Sequence, residues 1–302
     1  MSTDDGTRSI SIRSDYSDRR GYDPMFLGVE VPLPQLSVAL QKDAAKNRQA
    51  TGADPYVLPY HHFSVVMNQA RKLAYYTAVN INGRTLYKLK REPDKWIYDP
   101  RIDKAGQMGA DIYTNNPLDL GHLVRRIDPA WGESPALAKI ANDDTFHFTN
   151  CSPQHKNLNE NRQTWAGLED YILNNAMVHD LKVSVFSGPI FGAADRVYRD
   201  VQIPNQYWKV VVMVKTDGVN ADGVETDGQL SATAYLLDQS QLLAELGARG
   251  FTYGDYRMFQ VRVEQIEALT GLQFGLLSEY DPLAGRRGLE PVEILSLDMI
   301  QI

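Results

Sequence analysis

Short runs in which apolar and polar residues alternate, or in which β-branched and aromatic residues crowd together, punctuate this chain and predict many strands. They are LAYYTAVNI (73–81), DTFHFTN (144–150), VSVFSGPIF (183–191), WKVVVMV (208–214), LSATAYLL (230–237) and MFQVRV (258–263). Helical spacing appears in TWAGLEDYILNNA (164–176), where Trp165, Leu168, Tyr171, Ile172 and Ala176 recur on one side. Shorter helices are predicted within SVALQKDAAKNRQ (37–49), ending before TGADP, in SQLLAELG (240–247), and in VEQIEALTG (263–271), stopped by Gly271. Many strands with inserted helices give an α+β chain, a mixed α/β/α sandwich around an antiparallel sheet. Residues 1–21 mix Ser, Asp and Arg without apolar periodicity, so they read as a flexible arm before one domain over 22–302.

Composition narrows the classes. With 302 residues and 43% apolar content the chain can bury a sizeable core. A net charge of -7 argues against coating nucleic acid through bulk positive potential, so any such contact needs a local basic cluster. The lone Cys151 excludes an intramolecular disulfide and an all-cysteine zinc site. The N-terminus has no apolar signal-like core, and nothing approaches the run of about 18 apolar residues that a membrane span needs. The expectation is a cytoplasmic protein with no membrane partner.

Two stretches carry chemistry. NPLDLGHLVRR (116–126) puts Asp119, Gly121, His122, Arg125 and Arg126 on a strand-like segment, whose alternation would turn the two arginines to opposite faces. FTNCSPQHKNLNENRQTWAGLEDYI (148–172) leads from a strand ending at Asn150 through a polar loop into the helix that holds Glu169. Hydrolysis of a phosphodiester needs a base to activate water and positive charge where oxyanions develop, and these segments offer both.

The motifs are ordered: Asp119-Leu120-Gly121-His122, then Asn150-Cys151-Ser152-Pro153-Gln154, then Asn161 through Trp165 to Leu168-Glu169. With SGPIF (187–191), YWKVVV (207–212) and FQVRVEQIEALTGLQF (259–274), they resemble the DNA/RNA non-specific endonucleases over roughly residues 60–280. This is the ββα-metal group that includes Serratia nuclease and mitochondrial endonuclease G. The resemblance implies a Mg²⁺-dependent endonuclease, with Mn²⁺ able to substitute, that cuts DNA and also RNA without sequence specificity and leaves 5′-phosphates. It implies His122 as general base, Asn161 as direct metal ligand, and Glu169 acting on the ion through water, with Asp119, Gly121, Asn150 and Gln154 in support. The loop after Asn150 is about two residues longer than the family pattern, so counting forward selects Asn159 and counting back from Trp165 selects Asn161. Leu120 stands where the family carries arginine, and Arg125 or Arg126 is the candidate replacement. A further phosphate-directed arginine is expected in KREPDKWIYDPRI (90–102), as Arg91 or Arg101.

A homodimer and an inhibitory or regulatory partner are the expected assemblies. The rival reading is a nucleic-acid-binding homologue of the same fold with weakened catalysis, marked by Leu120. His61, His62, His147, His155 and His179 lack the spacing of a zinc protease and read as structural or surface residues.

Overall fold

The computed structural model describes residues 15–52, 54–156, 165–215, 228–243, 257–285, 291–294 and 299–300. Its centre is an eight-stranded antiparallel sheet. Along one edge run β2 (Val57–Pro59), β3 (Phe63–Asn68) and β4 (Leu73–Asn82), with β1 (Gln35–Leu36) outside the sheet. The middle is β7 (Lys182–Ile190), β10 (Gln206–Lys215) and β11 (Gln229–Asp238), and the far edge β12 (Arg257–Val261) and β14 (Val292–Glu293). The order across the sheet is β14-β12-β11-β10-β7-β4-β3-β2. Three two-stranded ribbons accompany it: β5 (Leu118–His122) with β6 (Cys151–His155), β8 (Arg196–Tyr198) with β9 (Val201–Ile203), and β1 with β13 (Leu272–Gln273).

Strand alternation divides the core in two. On β10, Tyr207 and Val211 turn to one face and Trp208, Val210 and Val212 to the other. Among the helices are α1 (Val38–Gln41), α2 (Pro135–Asp144), α3 (Trp165–Val178), α4 (Ser240–Leu243) and α5 (Val263–Thr270). The first face receives α3 through Leu168, Ile172, Leu173 and Ala176; the second receives α5 through Val263 and Ile266. The result is the expected α/β/α sandwich. At Gly83 the end of β4 comes so near the Ala176 carbonyl that any Cβ would overlap it, which lets α3 lie close on the sheet.

Several expectations shift. The DTFHFTN segment is not a strand: Asp144 ends α2, Phe148–Asn150 form a 3-10 turn, and β6 starts at Cys151. Every residue of β6 is buried, including Ser152, Gln154 and His155, so no apolar alternation marked it. The α2 helix itself went unpredicted, although Ser134 caps it by accepting from Leu137 N (3.2 Å) and Pro135 opens it. The helix expected over 37–49 is only Val38–Gln41, because the chain turns so that Ala45 N donates to Met67 O (2.9 Å) at the sheet edge. Val263 leaves the predicted strand to begin α5, where Arg262 and Gln265 form a reciprocal cap, and Gly271 ends that helix at φ 73°.

The expected arm does not extend to residue 21. Tyr16 and Arg19 are buried and joined to a polar hub beneath β3 and the end of α2. Arg19 pairs with Asp144 (Nη2 to Oδ1 3.0 Å), His61 Nδ1 meets the same carboxylate at 2.9 Å, and His147 bonds the Asp144 carbonyl (2.8 Å) and the Tyr16 hydroxyl (2.8 Å). His62 stacks on Trp131 with ring centroids 3.5 Å apart. These three histidines are structural. Burial alone would raise the Asp144 carboxyl, but His61, His147 and Arg19 outweigh it and bring its pKa down to about 2. The stabilisation from that carboxylate is therefore full above about pH 4 and is lost as pH falls towards 2, roughly 2 kcal/mol in all. Asp144→Ala should cost roughly 3–5 kcal/mol at pH 7, because it leaves the Arg19 guanidinium buried without its partner. Urea unfolding should show the gap to wild type narrowing by pH 3; an equal gap at both pH values would refute the coupling.

Candidate active site

His122 is the last residue of β5, in register with Cys151 on β6, so the histidine is placed by a short antiparallel ribbon and not by a loop. Beyond it the chain turns a corner held by Asn150. The Asn150 carbonyl accepts from Leu123 N (3.0 Å), its Oδ1 accepts from Val124 N (2.9 Å), and its Nδ2 donates to the carbonyls of Val124 and Thr145 (both 2.9 Å). All of these bonds are buried, where a hydrogen bond is expensive to leave unmade. The half-buried His122 ring lies 4.6 Å from that of Trp96 and meets Phe146 edge-on at 4.8 Å, which restricts how it can rotate.

Gly121 makes the ribbon possible, since a Cβ there would overlap the amide of Gln154. That amide is fully buried, and neither of its polar atoms hydrogen-bonds a described residue. Asp119 stands opposite Gln154 in register, and Leu120 opposite Pro153. The ribbon is docked on the main sheet by Tyr207, whose hydroxyl donates to Pro153 O (2.7 Å) and lies 3.0 Å from Ser152 Oγ. Gln239 adds a bond, its Oε1 accepting from His155 N (2.9 Å).

Arg125 and Arg126 lie not on the strand but in the turn after it, so alternation does not decide their directions. Arg125 reaches α3: its Nε is 3.3 Å from Glu169 Oε2 and its Nη2 donates to Asp170 (2.8 Å). Arg126 turns elsewhere and donates to Leu89 O (3.2 Å). Glu169 has a second cation. Lys209 Nζ stands 3.1 Å from Glu169 Oε1 and 3.1 Å from Ser187 Oγ, its register partner on β7. The lysine side chain is 2% exposed and that of Glu169 10%. Asp128 closes the group by accepting from Arg125 N (3.2 Å), and its pKa rises to about 6, chiefly through burial, with Arg125 opposing. Burial opposes charge on Arg125 too, but Glu169, Asp128 and Asp170 prevail and raise its pKa.

Sequence reasoning missed Lys209, Asp128 and the Trp96–His122 contact. The signal for Lys209 was there: a lysine inside the apolar strand YWKVVVMV must find a buried anion. Arg101 is corrected. It is 1% exposed, pairs with Asp99 (2.7 Å) and donates to Pro59 O (2.7 Å), so it belongs to the hub and cannot meet a phosphate. Arg91 is exposed and pairs with Asp94 (2.9 Å). Asn159 and Asn161 lie outside the described residues. Among the described residues no three His, Cys, Asp or Glu side chains gather as a metal cluster. An ion here would rest on few protein donors with phosphate and water oxygens, a donor set that fits hard Mg²⁺.

The ribbon followed by α3 is a ββα unit, and known proteins share it. The solved EndoG/EndoGI complex superposes with a TM-score of 0.53 at 17% identity, covering 74% of this chain and 87% of that one, which establishes the ββα-metal nuclease fold. A nuclease of Nostoc sp. is 25% identical over 237 residues, 76% of each chain. The protein y4fB of Sinorhizobium fredii is 41% identical over 277 residues; they make up 89% of this chain but 40% of y4fB, so the chain spans two fifths of that relative. The sequence profile of the DNA/RNA non-specific endonucleases matches residues 40–278. With most of its length matched and the fold shared, this chain belongs to the DNA/RNA non-specific endonuclease family.

Proposed function

We propose that this chain is a Mg²⁺-dependent endonuclease that hydrolyses phosphodiester bonds of DNA, and of RNA, with little sequence preference, leaving 5′-phosphate ends. The observation that carries the reading is the ββα unit itself, which fixes His122 at a strand end and buries Glu169 between two cations on the following helix. His122 takes a proton from water, whose oxygen attacks phosphorus; the bond to the 3′-oxygen breaks, and that oxygen leaves to be protonated. The imidazole suits this step because its ordinary pKa of about 6.5 lies near neutral pH. A bound Mg²⁺ would supply charge for the phosphorane and the leaving oxygen. Asn161, with Asn159 as the alternative, would hold it. Glu169, whose two oxygens are engaged by Arg125 and Lys209, would act through the ion's waters.

Specificity is low in this scheme because phosphate contacts carry no sequence information. Of the two candidate replacements for the arginine missing at Leu120, Arg125 is the one that reaches the helix bearing Glu169, whereas Arg126 turns to Leu89 O, and on that reading the chain is an active enzyme and not only a binding protein. The same proposal includes a homodimer and an inhibitory partner, the latter supported by the EndoG/EndoGI complex, which concerns EndoG inhibition. Among the described residues no helix is long and apolar enough to cross a membrane.

Purified chain should degrade supercoiled plasmid with Mg²⁺ or Mn²⁺, fall silent in EDTA, and release fragments that ligase accepts without prior kinase treatment. Undiminished cutting in EDTA, or 5′-hydroxyl ends, would reject the mechanism. Lys209→Met should lower turnover on the order of 10- to 100-fold and raise the Mg²⁺ concentration needed for half-maximal rate, with partial rescue in Lys209→Arg. In a Glu169→Gln background the same change should add little, since the lysine acts through that carboxylate. Full additivity of the two losses would show that Lys209 does something else.

A further inference from the structure

The chain is acidic overall, yet residues 84–95 contain five basic residues, Arg84, Lys88, Lys90, Arg91 and Lys95, against two acidic ones, Glu92 and Asp94. Both acids are already engaged: Asp94 by Arg91 (2.9 Å) and Glu92 by Lys139 (3.2 Å). Lys88, Lys90 and Lys95 are exposed and form no ion pair with any described residue. An acidic protein that leaves three neighbouring lysines unneutralised holds a local positive potential there.

The segment is fixed rather than adrift. At its start Leu86 bridges to Trp131 and Tyr87 N donates to Ala130 O (2.8 Å). In the middle Leu89 is half-buried and its carbonyl takes the guanidinium of Arg126 (3.2 Å), while Lys88 and Lys90 on either side are exposed. At its end Trp96 lies 4.6 Å from the His122 ring, and Ile97 is bonded to Phe146 and Phe148 (3.0 and 2.9 Å). The run of lysines thus begins at the corner that Arg126 braces and stops one residue short of the contact with His122. Lys95 stands seven positions after Lys88, at most roughly 25 Å of chain, comparable to about seven nucleotides along one strand.

We propose that Lys88, Lys90 and Lys95 form a docking rail for the phosphate backbone of the nucleic-acid substrate, leading the strand to His122. The rail rests on the nuclease reading and adds where on this surface the substrate lies. It accounts for how a chain of net charge -7 engages a polyanion: repulsion from the rest of the surface is met by one track of unpaired charge beside the site. Because lysine contacts to phosphate read no base, the rail contributes affinity and orientation without sequence preference.

The test measures binding of a fluorescent random-sequence DNA duplex across a salt series, with EDTA present to prevent cleavage. Log K against log salt should be shallower by about 2–3 in the variant Lys88→Ala/Lys90→Ala/Lys95→Ala, close to one unit for each phosphate that the protein no longer neutralises. A second variant, Lys42→Ala/Lys46→Ala/Lys182→Ala, removes the same charge from exposed positions elsewhere and should keep the wild-type slope. The urea unfolding midpoint should be equal in all three proteins, which shows that the fold is intact in both variants. A rail variant with the wild-type slope, or a control variant whose slope falls as much, overturns the rail while wild-type cleavage leaves the nuclease reading standing. A wild-type chain that neither cuts nor binds DNA overturns both.

Discussion

A charged lysine in the middle of a buried sheet is the constraint around which the site is arranged. Lys209 lies on β10 with its side chain 2% exposed, and an unpaired charge there would be far costlier than any packing gain could offset. It requires an anion from the layer above, and α3 supplies Glu169. Glu169 in turn takes Arg125 from the turn that follows β5, and the backbone of that turn is held by Asp128. The ribbon bearing His122, the helix bearing Glu169 and the central strand are thereby tied through one set of opposed charges. Such a set orients a carboxylate more narrowly than apolar packing would, because each partner bonds in a preferred direction.

This set of opposed charges has a counterpart in a second polar network. The hub of Arg19, Asp144, His61 and His147 fixes the end of α2, and Asn150, six residues beyond Asp144, clamps the corner after His122. Two polar networks thus meet the segment around His122, one through Glu169 and one through Asn150. Loss of either changes where the imidazole sits without touching it, which is how residues remote from a reaction come to matter.

Much of this was legible in the sequence and some was not, for physical reasons. Strands β4, β7, β10 and β11 announce themselves because they are long and dominated by β-branched and aromatic residues, and α3 and α5 because their apolar spacing is helical. β6 escaped, since its buried residues are mostly polar and it is docked by residues distant in the chain, Tyr207 at the Ser152 hydroxyl and Gln239 at the His155 backbone N–H. At the site, His122 and Glu169 stood out by their order in a motif, which spacing preserves. Arg101 is by sequence as well suited to a phosphate as Arg91, yet it is held by Asp99, a distinction that depends on burial alone. Which of Arg125 and Arg126 turns to Glu169 was open because alternation along the expected strand separates their directions without saying which points inward, and the segment proves to be a turn, where alternation does not hold.

The central claim is that His122 moves a proton and does not hold the metal. Its most direct test is Mg²⁺ titration by calorimetry on wild type and His122→Ala, with plasmid cleavage measured on the same samples. The account predicts that the variant loses cleavage by several orders of magnitude while its Mg²⁺ affinity and unfolding midpoint stay within error of wild type. A parallel loss of Mg²⁺ binding, or cleavage that persists without the imidazole, would contradict it.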